Sequence, residues 1–195
     1  METNNNLIKK SLQKFSYFKA PIKNTTPLDN VTLFDMYTFI RDATFAHKTE
    51  ELRSITDNKE AKTFKANNFD YVTFSGTFSK REDKSLIKHS GLITIDLDEL
   101  SNLEEVKQEL LNDEYFETEL LFTSPSGDGL KWIVSIDLMK ATHLEYFNGI
   151  SNYLLTTYKL KVDASGKDVS RACFVPHDRK CYINPKYYIN YEERI

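Results

Sequence analysis

Apolar residues recur along the chain with two different rhythms. Between residues 27 and 42 they fall at Val31, Phe34, Tyr37 (or Met36) and Ile40, one face of a helix, with Asp29 or Asn30 placed to cap it. "FDYVTFSGTF", Phe69 to Phe78, is dense in β-branched and aromatic residues and predicts a strand that breaks at Gly76. From Gly91 onward the order is regular. "GLITIDLD" predicts a strand, and "SNLEEVKQELL" a helix with Leu103, Val106 and Leu110 on one face and Ser101 and Glu104 at capping-box spacing. "TELLFT" and "LKWIVSID" predict strands joined by the turn "SPSGDG". "THLEYFNGISNYLLTTY" predicts a helix with Leu144, Phe147, Ile150 and Leu154 inward, and "YKLKVD" and "RACFVP" are extended again.

Strand, helix, strand, hairpin, strand, helix, strand is the split βαβ plan of ferredoxin-like and RNA-recognition-motif folds. The expected fold is therefore α+β: a βαββαβ half over residues 91–195, packed with a helix-and-strand unit over 1–90, in a single domain. In this plan the first two strands are parallel and the third runs between them in the opposite sense. The end of "GLITIDLD" then lies beside the "SPSGDG" hairpin. The last strand is open. If it is "YKLKVD", Asp163 emerges at the far end of the sheet; if it is "RACFVP", the preceding loop brings Asp163 or Asp168 back to the hairpin.

The chemistry follows from that juxtaposition. Asp96 and Asp98 are two apart on a strand, so they share a face about 6–7 Å apart. At an effective dielectric near 20 they repel by about 2.5 kcal/mol, a cost that a cation between them would remove. Asp163, or alternatively Asp168, supplies a third carboxylate. Hard Mg²⁺ or Mn²⁺ prefers such oxygen ligands and binds together with substrate phosphates. Ser124 and Ser126 offer hydroxyl donors, Gly127 and Gly129 allow backbone N–H groups to turn toward an anion, and Lys131 and Arg171 offer positive charge. Together they form a candidate nucleotide-binding set.

Composition narrows the partners. The chain of 195 residues is 40% hydrophobic and carries a net charge of −3, so nothing global favours nucleic acid. Local basic groups do: Arg53, Lys62 and Lys65, followed by aromatic residues, suit backbone tracking and base stacking of a single strand. No stretch approaches the ~20 apolar residues of a membrane span, the first fifteen residues lack a signal-peptide core, and two cysteines make no disulfide framework, so a protein of the reducing cytoplasm is expected. Cys173, His177 and Cys181 recur four apart. Pro176 opposes the helix that would align them on a metal, and two buried or half-buried thiols are expected instead.

These residues resemble the archaeo-eukaryotic primase (prim–pol) superfamily, marked by an acidic pair after a strand, a Ser-x-His element and a later Asp. "TIDLD" matches the first, "SPSGDGLK" occupies the second with Lys131 where His is usual, and Asp163 resembles the third. More closely, "FKANNFDYVTFSGTFSKREDKSLIKHSGL" and "DVSRACFVPHD" resemble the virulence-associated-protein-E N-terminal type of domain. The resemblance implies a primase/polymerase-like fold and a DNA-directed nucleotidyltransferase of mobile-element or phage-like replication. It further implies Mg²⁺ or Mn²⁺ on Asp96, Asp98 and Asp163, nucleoside triphosphates as substrates, a single-stranded DNA template and a helicase domain or protein as partner. The alternative is a catalytically inactive nucleotide- or single-stranded-DNA-binding module on the same fold.

Overall fold

Two four-stranded antiparallel sheets and the helices around them make an α+β fold; the computed structural model describes residues 13–188. Most of the first fifteen residues, read above as lacking a signal-peptide core, lie outside that range. The first sheet has the order β2-β1-β3-β9, from β1 (Phe15–Phe18), β2 (Asp29–Val31), β3 (Tyr71–Thr73) and β9 (Cys173–Phe174). The second has the order β10-β7-β8-β6, from β6 (Leu92–Leu97), β7 (Thr118–Thr123), β8 (Leu130–Ser135) and β10 (Tyr182–Ile183). A separate hairpin pairs β4 (Gly76–Phe78) with β5 (Leu86–His89). Helices α1 (Leu33–Arg41), α2 (Ala46–Ser54) and α3 (Asn58–Asn68) precede β3, whereas α4 (Leu103–Leu111) and α5 (His143–Thr157) flank the second sheet.

Period-two alternation in β6 explains how the layers stack. Ile93, Ile95 and Leu97 share one core with Trp132, Val134, Val106, Leu110, Phe147 and Leu154, so this face is covered by α4 and α5. The opposite face sends Leu92, Leu120, Phe122 and Ile133 into a second core with Phe15, Tyr17, Val72, Phe74 and Cys173 of the first sheet. A sheet covered on both sides reads as a nearly continuous apolar run, and all six residues of β6 are buried. Asp96 falls on the face toward the first sheet, at the end of the strand.

The expected βαββα order and its parallel–antiparallel arrangement are present. β8 lies between β6 and β7 and runs antiparallel to both, with Asp96 directly opposite Lys131. The final strand differs from both expectations. "YKLKVD" forms no strand, and "RACFVP" contributes β9 to the first sheet, where Cys173 and Phe174 pair with Val72 and Tyr71. The segment 91–195 is thus shared between the two sheets, because β3 offers a free edge that β9 can satisfy. At the other sheet's outer edge, Tyr182 and Ile183 pair with Leu121 and Leu120.

Element ends shift for local reasons. Asp29 and Asn30 lie in β2, and α1 is capped instead by Thr32, whose hydroxyl accepts from the Asp35 N–H while Asp35 accepts from the Thr32 N–H. The expected Ser101–Glu104 box does not form; α4 starts one residue later, and Asn102 donates its side-chain amide to Glu105 at 2.9 Å. In α5 the Thr142–Glu145 capping box sets the first turn so that His143 faces inward and Leu144 is 49% exposed. Phe147, Ile150 and Leu154 are buried as expected. Both thiols are buried and free, and His177 turns away to the Asp42 carbonyl at 2.8 Å. No described helix is long and apolar enough to cross a membrane.

Candidate functional site

The acid cluster forms where β6 ends. Asp96 is 6% exposed, Asp98 follows the last strand residue, and Asp163 arrives from the segment after α5. That segment is turned by Lys159, in the left-handed region at φ 60°, and by the Leu160 N–H returning to the Leu154 carbonyl at 3.2 Å. The Asp163 N–H then bonds the Asp96 carbonyl at 2.9 Å, which fixes one acid beside the other without a full strand. One ligand oxygen from each of Asp96, Asp98 and Asp163 lies within 4.8 Å of the others. Asp168, the alternative third ligand, is at the rim of the cleft and outside this trio. Three hard oxygen donors at this spacing fit Mg²⁺ or Mn²⁺ by donor chemistry.

Two cations share the cluster. The Lys131 ammonium is hydrogen-bonded to Asp96 and lies 3.5 Å from Asp98. Arg171 Nη2 bridges Asp96 at 3.3 Å and Asp163 at 3.0 Å. Three carboxylates thus face two cations, an excess of one negative charge in the innermost cluster. Burial pulls the Lys131 ammonium down to about 8, with Arg171 and Lys65 acting in the same direction. The Asp98 carboxyl is raised, first by burial and then by repulsion from Asp163. Burial pushes Asp163 up, but hydrogen bonds from the Ser165 hydroxyl and N–H, together with Arg171, hold it below the usual carboxylate range.

The "SPSGDG" hairpin forms one wall. Its glycines serve the turn itself rather than a ring of inward N–H groups. Gly127, at φ 90°, donates its N–H to the Ser124 carbonyl at 3.0 Å, and the Ser124 N–H bonds the Gly129 carbonyl at 2.8 Å. A Cβ on Gly129 would stand 2.3 Å from the Leu97 carbonyl, so only glycine lets the hairpin close against β6. Ser124 and Ser126 line the cleft with Lys131, Arg171, Asp96 and Asp98, which together bound part of a volume of about 360 Å³.

The basic residues assigned to nucleic acid, Arg53, Lys62 and Lys65, come together along one cleft but are engaged differently. Arg53 braces the hairpin, with Nε on the Pro125 carbonyl and Nη2 on the Ser124 carbonyl, both at 3.2 Å. Lys62 is exposed and lines an adjoining cleft of about 410 Å³. Lys65 lines both clefts. Ser165 was not anticipated, and Arg81, a basic residue offset in the sequence by Glu82 and Asp83, was not expected at this cleft. The "DAS" spacing, an Asx turn signal, could have pointed to Ser165. Arg81 reaches the cleft from the connection between β4 and β5, held there by Thr25, Ile22 and Tyr71, contacts for which the sequence carries no local signal.

All three acids, Lys131, Arg171, Lys65 and Arg81 fall inside residues 63–183, which match the BT4734-like N-terminal domain. The chain belongs to this family. The BT4734-like match begins within α3 and ends in β10, so it takes in the whole second sheet together with β3 and β9 of the first. No curated protein and no solved structure matches the chain.

Proposed function

We propose that the protein is a metal-dependent nucleotidyltransferase of DNA primase/polymerase type, acting in the cytoplasm on a single-stranded DNA template with nucleoside triphosphates. The observation that carries this reading is the trio of carboxylates with ligand oxygens within 4.8 Å, two of which, Asp96 and Asp98, line a cleft of nucleotide size. Asp96, Asp98 and Asp163 would hold Mg²⁺ or Mn²⁺, which when bound lowers the pKa of an attacking hydroxyl and offsets charge on phosphate oxygens. Lys131 and Arg171 keep the three acids together, and the Ser124 and Ser126 hydroxyls offer donors to phosphate oxygens along the wall. The reaction joins a 3′-oxygen to the α-phosphorus as the bond to the β-phosphate oxygen breaks, releasing pyrophosphate. The fold arrangement, in which β8 returns Lys131 opposite Asp96, is consistent with the primase-like core, and a helicase partner is part of the same reading.

Extension of a primed single-stranded template, with Mn²⁺ or Mg²⁺ and each nucleotide set, tests the proposal. The double variant Asp96→Asn, Asp98→Asn should lose synthesis by more than about a thousandfold while keeping its circular dichroism spectrum. Unchanged synthesis in that variant would overturn the reading. One observation favours a second reading, a nucleotide- or single-strand-binding module without catalysis: the Lys131 ammonium sits among the acids and bonds Asp96. Metal-independent nucleotide binding combined with no extension in any condition would select it.

A further inference from the structure

Lys131 and Arg171 are both engaged by carboxylates, which leaves open what positive charge meets an anionic substrate. Two other cations line the same cleft from the opposite layer. Arg81 precedes β5 and has no ion-pair partner among the described residues; Lys65 lies on α3, where its charge lowers the Asp98 carboxyl without a direct contact. A cation half-buried without an acid costs solvation that a bound anion would restore.

Arg81 is also held in one orientation. Its backbone N–H bonds the Thr25 carbonyl at 2.9 Å. Nε donates to the Tyr71 hydroxyl and Nη2 to the Ile22 carbonyl, both at 3.2 Å, while the guanidinium lies 5.3 Å from the Tyr71 ring centre. All these partners are neutral, and they leave Nη1 without a hydrogen bond among the described residues. A planar guanidinium fixed in this way loses little entropy on gripping a phosphate. Lys65 stands 5.9 Å from the Phe174 ring centre on the same side.

We propose that Arg81 and Lys65 bind the terminal phosphates of a nucleoside triphosphate, so that the substrate spans from the acid cluster on the second sheet to the layer of the first. This rests on the nucleotide reading of the cleft. It shifts the main phosphate-gripping role from Lys131 and Arg171, which act as counter-ions to the acids, to residues of the N-terminal unit. The cleft volume of about 360 Å³ suits one nucleotide better than a strand of nucleic acid.

The test is calorimetric titration of the protein with ATP and dATP and with the two corresponding monophosphates, using Ca²⁺ to limit turnover. Wild type should bind the triphosphates at least about tenfold more tightly than the monophosphates. Arg81→Gln should shrink that ratio by about tenfold, Lys65→Gln by less, and Arg81→Lys should restore part of it. If Arg81 only braces the Ile22 loop against Tyr71, tri- and monophosphates weaken alike and the ratio stays, which overturns the proposal. Lys65→Gln removes no hydrogen bond and keeps the test valid if the arginine variants fold poorly. Weakened single-stranded DNA binding with an unchanged nucleotide ratio, or no triphosphate binding by wild type, also overturns it. A ratio that behaves as expected without strand extension defeats only the polymerase reading; extension with an unchanged ratio defeats only this proposal.

Discussion

Asp70, just before β3 in the first sheet, and Asp96, near the end of β6 in the second, are both buried, at 4% and 6% exposure. Asp70 accepts from the Tyr17 hydroxyl at 2.5 Å, Lys19 at 2.8 Å and the Ala20 N–H at 2.9 Å. Burial alone would raise its carboxyl, but the bonds from Lys19, Tyr17 and Ala20 hold it below the usual range. One acid has one cation and two further donors, and nothing remains to be neutralised. Asp96 also has cationic partners, yet it shares them with Asp98 and Asp163, and the cluster opens onto the cleft. Burial of a carboxylate therefore does not mark a ligand site. What sets Asp96 apart is an excess of acids over cations in a cluster beside a cavity.

The comparison can be broken most readily through stability. Asp70→Asn removes the charge that three donors converge on and should cost about 2 kcal/mol in urea unfolding, allowing for the exposure of Lys19. Asp98→Asn should change stability by less than about 0.5 kcal/mol, because its side chain is half-exposed and its charge is opposed by Asp163. Equal losses in the two variants would remove the distinction between them.

A smaller effect separates the sites by pH. The Asp70 carboxyl is lower in the folded protein than its ordinary value near 3.8. The unfolded chain therefore binds more protons in that window, and the stability Asp70 provides is present above about pH 4 and lost as pH falls below it. Asp98 is shifted the opposite way, so its contribution weakens stability as pH rises from about 4. Urea midpoints measured between pH 3 and 7 should show a shallower acid limb in Asp70→Asn than in wild type. A parallel profile would contradict the assignment.

How much of this was legible follows from the length of each signal. β6, β7, β8, α4 and α5 carry six to fifteen residues of clear period, and their order alone put Asp96 and Asp98 beside the hairpin that precedes Lys131; the direct Asp96–Lys131 register is a finding of the structure. β9 and β10 have two residues each, too few to show a rhythm, and exist because an edge of β3 or β7 accepts them. That is why the destination of "RACFVP" was misjudged. Asp163 was legible as a third acid but not its route, which depends on one backbone bond to Asp96. Arg53 carried the charge of a nucleic-acid contact, but its bracing of carbonyls 71 and 72 residues away depends on the tertiary fold and left no local mark in the sequence.

The central claim is that Asp96, Asp98 and Asp163 form a divalent-cation site. Mn²⁺ titration followed by electron paramagnetic resonance of the free ion tests it directly, in wild type, Asp70→Asn and the double variant Asp96→Asn, Asp98→Asn. Wild type and Asp70→Asn should take up Mn²⁺ alike, while the double variant binds at least about tenfold more weakly. Equal uptake by wild type and the double variant would contradict the site.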